Sequence, residues 1–185
     1  SEPHTGFSGK NISGNAVSDW NYLNNDLNAY TQMKSKYGSN SSVQPDFNNP
    51  VKYGFKDYGS GYPVGRGGQC RYFADLILFR SGIGKSLPSY QTAINDYNGS
   101  RRFTKLVGQA RVGDILQTTW VNGHTAVVVA IINGQEGVWA SAIDVIDSNY
   151  VGYANNEVIG RHILSVGGSG TSNLGNYFAL DLDRL

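Results

Sequence analysis

Residues 125–146 read TAVVVAIINGQEGVWASAIDVI and contain two apolar runs separated by polar residues and glycines. The runs, Thr125 to Ile132 and Val138 to Ile146, are rich in β-branched residues, a composition that favours strands. Asn133-Gly134 between them is typical of a two-residue hairpin turn. The stretch therefore predicts a pair of antiparallel strands.

Three further segments outside this stretch also predict strands, since they are short, rich in β-branched residues or alternating, and bounded by turn signals. They are Val112 to Thr118, Glu157 to Val166 and Tyr177 to Leu182. Helical periodicity lies before all of them, and helices followed by a run of strands indicate an α+β fold. We expect N-terminal helices packed on an antiparallel β-sheet or half-barrel of about five to six strands.

The N-terminal third divides into three parts. Residues 1–17 are polar and rich in Gly, Ser and Asn, which predicts a loose surface arm. Residues 18–38 form a predicted helix, with Ser18 as its N-cap, Gly38 at its end and an apolar stripe at helical spacing. Residues 39–69 lack periodicity and predict a long ordered loop, whose aromatic residues either line a groove or pack the loop onto its own domain.

Two more helices are predicted in the middle of the chain. One begins at Cys70 and ends at Gly82, and the other begins at Pro88 and runs through Tyr97. The sequence contains no internal repeat and no domain linker. We therefore expect a single domain that spans residues 1–185.

Composition narrows the class of protein. A formal net charge of +1 provides no field that would attract nucleic acid. The longest apolar stretch, Thr125 to Ile132, is far shorter than the roughly 20 residues that span a bilayer. Few charged residues and many Gly and Tyr suit an extracellular protein, so we expect a monomeric, secreted or cell-wall associated chain that has lost any leader.

The only cysteine, Cys70, follows two glycines and Gln69 and stands in the first turn of a predicted helix. Unpaired backbone N–H groups and the positive end of the helix dipole lower a thiol pKa there and can hold an oxyanion. Gly68 lets a substrate backbone approach closely. Cys70 is therefore a candidate nucleophile; the alternative is a small apolar residue of the core.

A thiol nucleophile needs a base, and the chain offers only three histidines. His4 lies in the polar arm, and His162 has the pattern of a solvent-facing strand position. His124 directly precedes the apolar strand that starts at Thr125, so its ring is expected at a strand end. We take His124 as the candidate base.

The segment that orients the base follows from the hairpin. The second strand returns to the level of His124 at its far end, which reads Asp147-Ser148-Asn149. Because side chains alternate along a strand, Asp147 and Asn149 share a face, and either one can bond the second imidazole nitrogen. Ser148 points to the other face. The alternative is an ordinary polar turn after a strand.

Four segments taken in order resemble the CHAP family of cysteine, histidine-dependent amidohydrolases and peptidases. The resemblance covers roughly residues 62–166 and lies in Gly68-Gln69-Cys70 with Phe73-Ala74, Val112-Gly113-Asp114-Ile115, Gly123-His124-Thr125-Ala126-Val127-Val128 and Val145-Ile146-Asp147-Ser148-Asn149-Tyr150. It implies a papain-like fold in which the Cys is the nucleophile, the His is the base, and an acidic residue with an Asn two positions later completes the site. Asp147 stands where that acidic residue is more often Glu.

The resemblance also implies a substrate class, the amide bonds of bacterial peptidoglycan in the stem peptide, the cross-bridge or the link between sugar and peptide. Gln69 and Gly68 are the candidate oxyanion and substrate-binding residues, with Tyr62 and Trp120 as candidate substrate-binding aromatic residues. Some relatives carry an Asp-rich calcium loop before the Cys. Here that stretch offers Asp57 alone, so we expect no metal and no cofactor.

Two other functions are compatible with the same residues. One is a non-catalytic module that binds cell-wall glycan through stacked aromatic residues. The other is a cysteine protease or transferase that acts on proteins.

Overall fold

The computed structural model of the chain describes residues 12–14, 16, 69–80, 87–150 and 159–185. Between residues 69 and 98 two α-helices precede the strands, α1 (Cys70–Arg80) and α2 (Tyr90–Asn98). The strands are β1 (Thr104–Leu106), β2 (Ile115–Thr118), β3 (Thr125–Gln135), β4 (Trp139–Ser148), β5 (Ile159–Ser165) and β6 (Tyr177–Leu180). Short 3-10 helices span Val107–Gln109, Gly170–Ser172 and Leu174–Asn176. Neither α1 nor α2 has the length and apolarity that crossing a bilayer requires.

The six strands form one antiparallel sheet in the order β1-β6-β2-β3-β4-β5. The last strand of the chain, β6, lies between β1 and β2. The α+β class and the antiparallel sheet are therefore confirmed.

Alternation along the strands produces a core on each face of the sheet. In β2, Ile115 belongs to the first core and its neighbour Leu116 to the second, and both are fully buried. The first core also receives the helices, through residues such as Phe73, Ile77 and Ala93. Apolar residues on both faces, rather than the polar-out pattern of a one-sided sheet, explain the long apolar runs of β3 and β4.

Helix α1 packs against β3 and β4, the two strands of the predicted hairpin. These strands are antiparallel, so the start of β3 and the end of β4 lie at the same edge of the sheet. His124 immediately precedes β3 and Asp147 is the penultimate residue of β4. The fold therefore brings both residues to one edge of the sheet.

The prediction of a hairpin turn at Asn133-Gly134 is wrong. Strand β3 continues to Gln135, and the turn covers residues 136–138, with Gly137 at φ 78°. Asn133 and Gly134 instead flank register shifts inside the strand pair. A Cβ at Gly134 would lie 2.2 Å from the Trp139 carbonyl oxygen, so the glycine permits a close approach of two backbones and does not form the turn.

The structure differs from the sequence predictions in two further places. Strand β1 was not predicted, because three residues are too short to show alternation. In the predicted polar arm, the described residues Ile12, Ser13, Gly14 and Ala16 are helical, and Ile12 and Ala16 are fully buried in the first core. The helix predicted over residues 18–38 lies outside the described residues.

Candidate active site

Cys70 is the first residue of α1, as the sequence predicted. The Gln69 carbonyl accepts a hydrogen bond from the Phe73 N–H at 3.0 Å, which makes Gln69 the N-cap of this helix. The thiol therefore lies in the first helical turn, where N–H groups lack intrahelical acceptors and the helix dipole is positive. Cys70 is buried, with 8% of its surface exposed.

His124 is held by a tight turn that precedes β3. Its backbone N–H donates to Thr118 Oγ1 at 3.0 Å, and its carbonyl accepts from the Thr118 N–H at 3.1 Å. Asn122 has φ 58°, and a Cβ at Gly123 would lie 2.0 Å from Thr118 Oγ1. Asn122 and Gly123 are thus required by backbone geometry, and they fix the position of the imidazole.

Asp147 is fully buried on β4, and its Oδ2 lies 2.7 Å from His124 Nε2. A carboxylate only accepts hydrogen bonds, so Nε2 of His124 carries a proton. This leaves Nδ1 as the nitrogen that can exchange a proton with a thiol. Of the two orienters that alternation left open, the structure places Asp147 against the imidazole.

Asn149 takes a different position, because it does not continue the strand. Its φ of 63° is left-handed, so the alternation that would have aligned it with Asp147 ends at Ser148. Its side-chain amide donates to Gln69 Oε1 at 3.0 Å. Asn149 therefore lies beside the residue that caps α1, next to the candidate nucleophile.

His162 is where the sequence interpretation was wrong. It was assigned to a solvent-facing position, but only 15% of its side chain is exposed, and its Nε2 lies 2.5 Å from Asp147 Oδ2. The Tyr150 ring stacks on His162 with centroids 3.7 Å apart. One signal could have indicated this: His162 shares strand parity with the fully buried Leu164.

Tyr90 was also missed, and no local pattern points to it because 20 residues separate it from Cys70. The Tyr90 hydroxyl lies 3.5 Å from Cys70 Sγ and 2.9 Å from Thr125 Oγ1. Burial, followed by the charge and hydrogen bond of Cys70, raises the pKa of Tyr90 above its usual range. Tyr90 therefore remains a neutral hydroxyl that can donate to the thiolate sulfur.

The electrostatics of the cluster favour a charged pair. Burial alone raises the pKa of the Cys70 thiol, but the hydrogen bond and the charge of His124 reverse this and lower it. Burial opposes the charge of His124, whereas hydrogen bonds to Asp147 and Cys70 raise its pKa to about 10. Burial likewise opposes the charge of Asp147, and hydrogen bonds from His124 and His162 lower its pKa. These shifts favour a thiolate, an imidazolium and a carboxylate over the neutral forms of the three groups.

A cavity of about 440 Å³ opens onto the thiol. Its lining combines the predicted and the unpredicted residues of the site, namely Gln69, Cys70, Arg71, Tyr90, Asn122, Gly123, His124 and Asn149. Trp120, a predicted substrate-binding residue, does not line this cavity; it is 38% exposed, and its indole nitrogen would lie 2.6 Å from a Cβ at Gly123. Gly68 and Tyr62 lie outside the described residues.

His124, Asp147 and His162 also form a potential metal-ligand set, since one donor atom of each lies within 4.8 Å of the others. Tetrahedral zinc with bonds of about 2.0–2.1 Å would separate its ligands by about 3.3 Å. The observed 2.5 and 2.7 Å separations are both shorter than this, and 2.7 Å lies in the range of an N–H···O hydrogen bond. The spacing therefore fits shared protons better than a shared metal ion.

No protein-family model matches the chain, and it matches neither a curated protein nor a solved structure. The chemistry of the site is therefore inferred from its own geometry.

Proposed function

We propose that the protein is a secreted cysteine hydrolase of papain-like fold that cleaves amide bonds of bacterial peptidoglycan. The observation that carries this proposal is that Cys70 and His124 line one open cavity while Asp147 bonds the His124 imidazole. The nucleophile starts a helix, and the base and its orienter come from the sheet that the helix packs against. A papain-like enzyme divides the same three roles between helix and sheet.

The reaction begins with attack of the Cys70 thiolate on the carbonyl carbon of the amide, which forms a C–S bond and a tetrahedral oxyanion. The free N–H groups of the first turn of α1 are placed to stabilise that oxyanion. The oxyanion then collapses, the C–N bond breaks, and His124 donates the Nδ1 proton to the leaving amine. The product of this half-reaction is a thioester on Cys70.

The second half-reaction is hydrolysis of the thioester. Neutral His124 removes a proton from water, and the hydroxide attacks the thioester carbonyl. Collapse of this intermediate breaks the C–S bond, releases the carboxylic acid and restores the thiolate and the imidazolium. Asp147 holds the imidazole in the tautomer that both steps need, with Nε2 protonated.

The substrate class is supported by the resemblance of residues 62–166 to the CHAP family and by the open form of the cavity. Peptidoglycan lies outside the cytoplasmic membrane, so this substrate class calls for an exported enzyme. We accordingly place the enzyme in the extracellular space or at the cell wall.

The decisive experiment is digestion of purified peptidoglycan by the wild-type protein and by Cys70→Ala, followed by mass analysis of the soluble fragments. The wild type should release fragments that carry one new amine and one new carboxyl group, and Cys70→Ala should release none. Equal release by both proteins would refute the thiol mechanism. Binding without release by the wild type would favour a cell-wall binding module, and cleavage of proteins but not of peptidoglycan would favour a protease.

A further inference from the structure

We propose that His162 is a positioning residue of this site, which locks the Asp147 carboxylate in the orientation that His124 needs. The proposal extends the hydrolase proposed above and rests on it. His162 is not among the residues that line the cavity, and the three catalytic roles proposed above do not include it. Its contact with Asp147 is nevertheless as close as that of His124.

The two imidazoles donate to the same carboxylate oxygen. His124 Nε2 lies 2.7 Å and His162 Nε2 lies 2.5 Å from Asp147 Oδ2. In the described part of the chain the other oxygen, Oδ1, is buried and has no hydrogen-bond partner. Two donors that approach one oxygen from β5 and from the residue before β3 restrain the rotation of the carboxylate more than a single donor would. The second donor therefore fixes the direction in which Asp147 faces His124.

The strand register explains why His162 can reach this oxygen. Asp147 on β4 lies directly opposite Gly160 on β5, which has no side chain, and His162 is the diagonal neighbour on the same face. Tyr150 stacks on the His162 ring and holds it in place. Gly160, His162 and Tyr150 together form a support behind Asp147.

The charged and titratable groups around this support come from four elements. Asp147 comes from β4, His124 from the start of β3, Tyr150 from the segment after β4, and Tyr177 from β6. Arg161, the neighbour of His162, is engaged elsewhere, since its guanidinium bonds Asp144 at 2.8 Å. The His162 N–H is thus the second donor that this buried carboxylate has in the described residues.

Loss of this donor should weaken the thiolate. A carboxylate that loses this donor can turn away from His124, and its protonated form becomes more favourable because hydrogen bonds to the charged form are what offset its burial. Its hold on the His124 imidazolium then falls, and the thiolate of Cys70 loses part of its stabilisation. The pH at which Cys70 becomes a thiolate should therefore rise.

The test is the rate of Cys70 alkylation by iodoacetamide as a function of pH in the full chain. His162→Phe keeps a ring to stack on Tyr150 but removes the donor, His162→Gln restores an N–H donor, and Ile163→Thr changes the exposed neighbour as a matched control. We expect the inflection of His162→Phe to move up by about one pH unit, which lowers the rate below the inflection about tenfold. His162→Gln and Ile163→Thr should stay near wild type.

An inflection of His162→Phe that stays in place or moves down, with folding verified by circular dichroism, would overturn the proposal. If His162→Phe does not fold, the test is a comparison of His162→Gln with His162→Ala. Equal inflection pH values in these two variants would overturn the proposal. Alkylation needs no substrate, so a failure to cleave peptidoglycan would refute the proposed function and leave this test valid. Normal cleavage by His162→Phe with an unshifted inflection would refute the positioning role alone.

Discussion

At the scale of single residues, the site depends on where hydrogen-bond donors meet a buried charge. Asp147 is completely enclosed, and a carboxylate in that position stays ionised only because two imidazole N–H groups face it. His124 gains its high proton affinity from the same contact. The lowered pKa of the Cys70 thiol follows from this affinity, because the hydrogen bond and the charge of His124 offset the effect of burial on the thiol.

A substitution series separates the roles of Asp147 and Asn149. Asp147→Asn removes the charge that stabilises the imidazolium, and its amide can present a donor to His124, so we expect kcat to fall by about 10²–10⁴-fold. Asn149→Ala should cost less, because Asn149 bonds Gln69 and not His124. Initial rates on soluble peptidoglycan fragments measure both effects.

A matched control for this series is Asp144→Asn, which makes the same chemical change on the same strand. Asp144 pairs with Arg161 and does not contact His124 or Cys70. It should retain near wild-type turnover. A larger loss in Asn149→Ala than in Asp147→Asn would transfer the orienting role to Asn149.

At the scale of elements, the end of α2 is tied to the start of β1 by one carboxylate. Asp96 accepts hydrogen bonds from the N–H groups of Arg102, Phe103 and Thr104 at 2.9, 3.1 and 3.0 Å, and from Thr104 Oγ1 at 2.7 Å. Partial burial acts to raise the pKa of Asp96, but these hydrogen bonds lower it. The carboxylate thus sets the direction in which the chain leaves α2 and enters the sheet.

We expect Asp96→Ala to lower the free energy of unfolding by about 1–2 kcal/mol, because several backbone donors lose their acceptor. The folded-state pKa of Asp96 is lower than the unfolded one, so its contribution is present above about pH 4 and is lost as the pH falls through the folded value. Denaturant titration at neutral and acidic pH measures the difference. Asn98→Ala, an exposed position on the same helix, is the control. A gap between Asp96→Ala and wild type that is as wide at acidic pH as at neutral pH would contradict this explanation.

At the scale of the whole molecule, the buried carboxylates of the sheet are matched to cations or imidazoles of the chain itself. Asp114 lies 2.7 Å from Lys105 Nζ, Asp144 bonds Arg161, and Asp147 bonds two histidines. A hard cation such as Ca²⁺ needs six to eight oxygen ligands. These carboxylates are committed to other partners.

We therefore expect a calcium chelator to leave both the Tm and peptidoglycan cleavage unchanged. Thermal unfolding monitored by circular dichroism, with and without chelator, measures the first quantity. A Tm that drops with chelator and recovers on addition of calcium chloride would show that a calcium site contributes to stability.

The amino-acid sequence by itself determined the features that depend on neighbours along the chain. The helix that starts at Cys70, the strands around His124 and Asp147, and the α+β order all follow from local periodicity and turn residues. The same local reasoning failed at Asn133-Gly134, because a glycine in a strand irregularity and a glycine in a turn have the same sequence pattern.

Which side chains meet depends on strand pairing and helix packing, which the sequence does not reveal. Asp147 rather than Asn149 bonds His124, because β4 ends at Ser148 and the left-handed Asn149 that follows breaks the alternation. His162 joins the site because the register of β4 and β5 sets it diagonal to Asp147, and Tyr90 joins because α2 brings its hydroxyl to the thiol. Such contacts span 15 to 23 residues along the chain, and strand register and helix packing, which no local pattern encodes, determine them.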